Sequence, residues 1–343
     1  MKKTQINAII LAILAATFYA VSIPISKLLL TYTAPTMLAA FLYLGAGIGI
    51  GIMFLFQRDK IGDREKLSKS DLPYTIGMIV LDIIAPVLLM NGVARTTAAN
   101  VSLLNNFEIV ATAIIAFFIF KEKISRRMWG ALILVTLSSL VLSFEGTDSL
   151  RFSTGSIMVI GAAVCWGFEN NCTRMISSKS THEIVIIKGF FSGTGTLLIA
   201  LIIGEKFPPA LVTGIILLLG FVAYGLSIFT YIRAQEIIGA AKTSAFYALA
   251  PFIGALLSFL LLNESLSPKY AAGLIIMILG SVIAVIDTLR YSHKHIHTHT
   301  VHVYTHTDNN IGRGAVRTET VTHEHEHTHI GPGLAHHHTH RGM

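Results

Sequence analysis

The chain has 343 residues, 53% of them hydrophobic and 13% charged, with a formal net charge of +7 and a mean hydropathy of +0.65. A soluble domain carries about 25% charged residues, so a soluble enzyme, a disordered chain and a disulfide scaffold are excluded. The apolar residues fall in runs of about 20, each long enough to cross a bilayer, and the chain reads as an all-α polytopic membrane protein.

From the N-terminus, Met1-Lys2-Lys3 runs into the first apolar segment without a small-residue cleavage site. That marks a retained span, not a signal peptide. Ten spans are predicted, near 8–30, 34–56, 74–94, 99–119, 128–144, 155–175, 184–204, 210–232, 243–262 and 269–288. Connections are short except 57–73, which carries Arg58, Lys60, Arg64, Lys66 and Lys69. With the N-terminus inside, this loop and Lys121, Lys123, Arg126, Arg127, Arg174, Lys179, Arg233 and Lys242 share one face, against Lys27, Arg95, Arg151, Lys206 and Lys269 on the other. Basic loops mark the cytoplasmic side, so both termini are expected in the cytoplasm and the protein in the cell (inner or plasma) membrane. From His293 onward, Lys294, Arg313, Arg317 and Arg341 balance Asp308, Glu319, Glu324 and Glu326. The positive excess therefore belongs to short membrane loops, and no nucleic-acid partner is implied. Cys165 and Cys172 lie seven residues apart in one predicted helix, about 10 Å, too far for a disulfide.

The chain also repeats itself. Ala98-Ala99-Asn100-Val101-Ser102 recurs as Ala240-Ala241-Lys242-Thr243-Ser244, and Lys121-Glu122-Lys123-Ile124-Ser125 recurs as Asn263-Glu264-Ser265-Leu266-Ser267. Ala15-Ala16 and Tyr19-Ala20 up to Lys27 match Ala162-Ala163 and Trp166-Gly167 up to Arg174. Five spans per half is an odd number, which forces the halves into opposite orientations. Inverted repeats are a plan of secondary transporters, with the substrate site near mid-membrane where the repeats meet.

On these residues each half resembles an EamA domain of the drug/metabolite transporter superfamily. The carrying features are the aromatic-small motif of each first helix ending in a base, and the stretch leading to Glu122 or Glu264. The resemblance implies two inverted five-helix repeats, 1–145 and 146–290, followed by a tail over 291–343. It implies export of a small organic solute such as an amino acid or metabolite, and no enzymatic activity. One departure stands out. The fourth helix of such a half usually carries a central proline, as at Pro251, but the first half has Phe107-Glu108-Ile109 there.

Ionisable groups inside spans are costly and are functional candidates by default. Ser102, Asn105 and Glu108 recur every three residues, with Asn106 alongside. This is a polar stripe at bilayer depth, fit to bind a substrate or proton, or to glue helices together. Glu169 and Asn170 share a face with Trp166 and Thr173, and Glu169 and Lys188 sit at equal depth on adjacent spans. They are expected to form an ion pair, either structural or acting as gate or substrate clamp. Asp82 precedes Pro86 by one helical turn, a combination suited to a polar cavity wall. Lys27 and Arg174 fit a structural role, snorkelling to water at the membrane edges. Gly45, Gly47, Gly49, Gly51, Gly189 and Gly193 read as close-packing positions.

Fourteen of the fifteen histidines lie beyond residue 292. They form runs at His293, His295, His297 and His299, at His323, His325, His327 and His329, and at His336, His337, His338 and His340. The interleaved Thr, Glu and Val, with Gly and Pro near the end, predict a disordered tail without a packed core. Neutral imidazole is a common metal ligand, so the tail is a candidate site for Zn, Ni or Co, with a soluble spacer or a proton sensor as rivals. The leading expectation is a secondary transporter of a small organic solute, as monomer or homodimer, coupled to a proton or ion gradient, with no cofactor in the membrane part. The alternatives are a divalent metal transporter whose tail buffers or senses metal, and a membrane metal sensor that does not transport.

Overall fold

The computed structural model describes residues 3–57, 67–119, 121, 124–144, 153–176, 179–238, 243, 246–264, 267–304 and 316–330. Its first unit, Met1–Val285, is helical. In chain order the main helices are α1 (Lys3–Ala20), α2 (Ser22–Leu29), α3 (Pro35–Gln57), α4 (Leu72–Arg95), α5 (Ala98–Leu104), α6 (Phe107–Phe118), α7 (Arg126–Ser143) and α8 (Thr154–Met175). They continue with α9 (Thr181–Ile187), α10 (Gly193–Ile202), α11 (Ala210–Gly220), α12 (Ser227–Ile238), α13 (Ala250–Leu262) and α14 (Pro268–Leu289). Single π-helical turns, Lys188–Ser192 and Phe221–Leu226, join α9 to α10 and α11 to α12.

Among the described residues, eight helical segments are long and apolar enough to cross a membrane. Two of the expected spans fall short of that measure for different reasons. Helix α8 has 22 residues but carries Glu169, Asn170 and Asn171, while α13 is apolar but only 13 residues long. The span expected at 243–262 is interrupted: Thr243, Phe246 and Tyr247 are helical, a turn follows at 248–249, and α13 begins at Ala250. Pro251 accounts for the interruption, because it lacks an N–H and fits the first turn of a new helix.

The expectation of one continuous fourth span is corrected as well. It breaks at Asn105-Asn106 into α5 and α6, where the amides of Glu108 and Ile109 reach back three residues, to the Asn105 and Asn106 carbonyls. At the 142-residue repeat offset the break falls on 247–248, one residue from the turn at 248–249 ahead of α13. The first half therefore breaks close to where the second does, but without a proline. Asn side chains compete with the backbone for hydrogen bonds and weaken a helix interior.

The principal helix packings run between the halves: α4 on α8, α6 on α8, α1 on α12, α3 on α10 and α11, and α5 on α13. Glycines make the closest of these possible. A Cβ on Gly47 would stand 2.9 Å from the Gly189 carbonyl carbon, and one on Gly45 would stand 2.1 Å from the Leu217 carbonyl oxygen. The outward surface is apolar, with Ile52, Phe56, Ile133, Leu198, Leu218, Leu256 and Ile275 all exposed. Large apolar exposure of this kind suits lipid, not water.

Charged side chains finish several helix ends. Glu264 accepts from the Ala98 and Ala99 amides at 2.7 and 2.9 Å, and Glu205 accepts from the Thr36 and Met37 amides at 3.3 and 2.6 Å. A carboxylate there satisfies orphan N–H groups and the positive end of the helix dipole. Lys27 does the converse, donating to the carbonyls of Val93 and Thr96 at 2.5 and 2.7 Å, and Lys269 donates to the Phe144 carbonyl. Lys27 thereby caps α4 from a half-exposed position. The side chain of Arg174 and all of Glu122 lie outside the described residues.

The second unit, Ile286–Met343, contains two strands, β1 (Arg290–Tyr304) and β2 (Val316–Ile330), paired antiparallel. These strands fall within the tail expected to be disordered. Thr, Val and Ile recur between the histidines, and β-branched residues at alternate positions favour strands. The register pairs His293 with His327, His295 with His325 and His297 with His323. The run from His336 to His340 lies outside the described residues.

Candidate functional site

Helix α4 carries Asp82 into the interior, where it is fully buried. One carboxylate oxygen, Oδ1, accepts hydrogen bonds from the Tyr43 hydroxyl at 3.0 Å and the Trp166 indole N–H at 3.3 Å. The other, Oδ2, faces the Lys188 ammonium at 3.2 Å. Lys188 opens the π-helical turn after α9, and its ammonium also lies 3.0 Å from Glu169 Oε1 on α8. Thr173, one turn along α8, donates to that same Glu169 oxygen. The Glu169–Lys188 pair expected from equal depth is present, and Asp82 joins it to make a three-member network. Two carboxylates share one ammonium, so one negative charge is left over when all three groups are ionised.

Glu108 sits in the first turn of α6, directly after the break. Its Oε1 accepts from Asn170 Nδ2 on α8 at 2.6 Å, and Asn170 Nδ2 also lies 3.3 Å from the Thr112 hydroxyl. Here the structure departs from the expected stripe. Because the helix ends at Leu104 and restarts at Phe107, Ser102 and Asn105 belong to one helical piece and Glu108 to another. Ser102 and Asn105 line a small pocket with Tyr19, Ala20, Ile23, Ala250, Pro251 and Gly254, where the broken fourth helices of both halves meet the first helix. Ser102 donates to the Ala98 carbonyl. Asn105 Oδ1 and Asn106 Nδ2 are buried without a hydrogen-bond partner. Burying an amide group unpaired costs about 1–3 kcal/mol, and a bound polar solute would remove that cost.

All nine sequence-selected membrane residues are therefore internal, but they fall into three neighbouring groups. Asp82, Trp166, Glu169 and Lys188 form one, Glu108 and Asn170 a second, and Ser102, Asn105 and Asn106 a third. Sequence reading missed the tyrosines. Ring centroids of Tyr43 and Tyr224 are 5.5 Å apart, those of Tyr224 and Tyr19 5.9 Å, and those of Tyr19 and Tyr247 5.9 Å. This chain leads from Asp82, through Tyr43, toward the pocket lined by Tyr19. Tyr19 belongs to the repeated aromatic-small motif, but aromatics in apolar spans look like packing, and nothing local in the sequence sets Tyr43, Tyr224 and Tyr247 apart. His182, outside the tail, has its ring 5.9 Å from those of Phe54 and Phe229.

Apolar helices around a buried polar interior define a multi-pass helical membrane protein. The chain belongs to the EamA-like transporter family, whose model matches twice, over residues 6–144 and 153–286. It is similar to an uncharacterized transporter of Methanothermobacter thermautotrophicus, 27% identical over 79% of this chain and 84% of that one. It also resembles the uncharacterized transporter YyaM of Bacillus subtilis, 24% identical over 84% of this chain and 98% of that one. A solved crystal structure, 15% identical, superposes with a TM-score of 0.59 over 81% of this chain and 95% of that one, which shows the shared fold.

Proposed function

We propose that this membrane transporter is a secondary-active exporter of a small organic solute, such as an amino acid or metabolite, working by alternating access. The observation that carries this reading is the set of buried polar groups where the halves meet. Asp82 and Glu108 come from the first repeat, while Glu169, Asn170 and Lys188 come from the second, and each pairing of Asp82–Lys188 and Glu108–Asn170 spans the two. Rocking one repeat against the other would exchange those contacts for contacts with solute. The unpaired Oδ1 of Asn105, a residue that lines the pocket, is the proposed acceptor for it.

The proposed architecture is ten spans in two inverted repeats, 1–145 and 146–290, with both termini cytoplasmic in the cell membrane. The tail over 291–343 is proposed to bind divalent metal on the cytoplasmic side, outside the transport path. Among the described residues no three His, Cys, Asp or Glu side chains are grouped to hold an ion, which favours an organic solute over a bare metal as cargo. The test is flux of a panel of amino acids, metabolites and divalent metals in proteoliposomes, with Glu108→Gln and a chain lacking 293–343. The expected result is organic-solute flux that falls at least about tenfold, or about 1.4 kcal/mol, in Glu108→Gln and persists without the tail. Metal flux abolished by tail removal would overturn it.

A further inference from the structure

We propose that Asp82 is the binding site of a coupling proton, loaded when Lys188 is drawn away from it. This inference rests on the alternating-access reading and adds the coupling ion and its ligand. Lys188 has two carboxylates, and they differ in where they are anchored. Glu169 lies on α8 in the same repeat as Lys188, whereas Asp82 lies on α4 in the other repeat. The Trp166 indole that donates to Asp82 Oδ1 also belongs to the second repeat. When the repeats separate along this seam, Lys188 leaves with Glu169 and Trp166, and Asp82 keeps the Tyr43 hydroxyl alone.

An ionised carboxylate stripped of its cation inside an apolar bundle is costly, and a proton from the newly opened side removes that cost. The balance is simple. Closed, the Asp82–Lys188–Glu169 network carries one net negative charge. Opened, Asp82 Oδ2 holds one proton and the Lys188–Glu169 pair is neutral. As this seam closes and the cavity opens to the opposite side, the ammonium returns to Asp82 and the proton is released to that side. Each cycle therefore carries one proton, with no group in the network left as an isolated charge.

Other ionisable groups leave this assignment intact. Tyr43 on α3, Tyr224 on the second π-turn, and Cys165 and Cys172 on α8 are neutral hydrogen-bond or packing groups at neutral pH. Lys27 on α2 is held by the carbonyls that end α4, and Glu183 on α9 accepts from the Leu67 amide. Asp71 and Lys179 pair at 3.8 Å near the start of α4. Glu108 interacts with Asn170 and lacks a cation of its own within bonding distance among the described residues.

The chain supplies its own reporter, since it has two tryptophans, Trp129 and Trp166, and Trp166 bonds to Asp82. In full-length Trp129→Phe protein, Trp166 emission is followed through a pH titration in detergent and in liposomes. A one-proton transition is expected. It should vanish in Asp82→Asn and persist in Asp82→Glu and Glu108→Gln. It should also vanish in Glu169→Gln, where Lys188 has no second carboxylate to leave with, so the proposal stays testable even where Asp82→Asn fails to fold. A transition that survives Asp82→Asn or Glu169→Gln, that follows Glu108, or that is absent altogether overturns the proposal. A normal titration without flux of any tested solute would instead sink the transport reading and leave the proton site standing.

Discussion

Two populations of charge occupy this protein, and they differ in what they bond. At the helix ends, Glu205, Glu264, Lys27 and Lys269 bond to backbone amides and carbonyls. In the interior, Asp82, Glu108, Glu169 and Lys188 bond to side chains. A charge that satisfies backbone cannot leave without exposing an unpaired peptide group in an apolar surrounding. A charge that satisfies another side chain can trade partners, provided each step leaves no charge isolated. The end charges therefore belong to the scaffold and the interior charges to motion.

The sharpest way to break this distinction is Lys188→Met. It leaves two buried carboxylates on one site and should cost about 3–5 kcal/mol, read as a lower melting temperature in detergent. The triple variant Asp82→Asn, Glu169→Gln, Lys188→Met should recover most of that loss, because neutral groups remove the unpaired charge, yet it should not transport. If the triple variant transports at the normal rate, the interior charges belong to the scaffold as well. Next in size is Glu264→Gln, which keeps one acceptor for the Ala98 and Ala99 amides but loses the charge. A cost of about 1 kcal/mol with an unchanged pH profile of flux is expected, and an altered pH profile would erase the distinction. Glu108→Gln should alter stability by less than about 1 kcal/mol, since Gln can still accept from Asn170, while solute flux falls. Asn105→Ala removes an acceptor that has no partner, so thermal stability should hold or rise by a few tenths of a kcal/mol as solute binding weakens. A large stability loss there would place Asn105 among the scaffold groups.

Much of the scaffold was legible in the chain. Hydrophobic runs located the helices to within a few residues for most spans, because lipid demands a fixed apolar length. The glycines of α3 and of the turn after α9 announced the close contact that Gly47 and Gly189 make. Ion-pair partners were legible in part. Lys188 and Glu169 were matched by depth on neighbouring spans, but Asp82 was not, because it arrives from the other half of the chain. The break at Asn105-Asn106 was hidden by the apolar continuity of 98–118, and with it the division of the polar stripe. Alternation in the tail pointed to histidine ligands, but the pairing of 290–304 with 316–330 depends on a register that periodicity alone does not set.

By itself, the sequence determined that this chain is a two-repeat helical membrane protein with costly polar residues held at bilayer depth. Those are properties of hydropathy, length and internal likeness, each readable along one dimension. Only the tertiary structure decided which groups meet: Lys188 between Asp82 and Glu169, and Glu108 on Asn170, with Asn105 Oδ1 left unpaired. Electrostatic energy depends on distances of a few ångströms between residues far apart in the chain, and packing between the two repeats sets those distances.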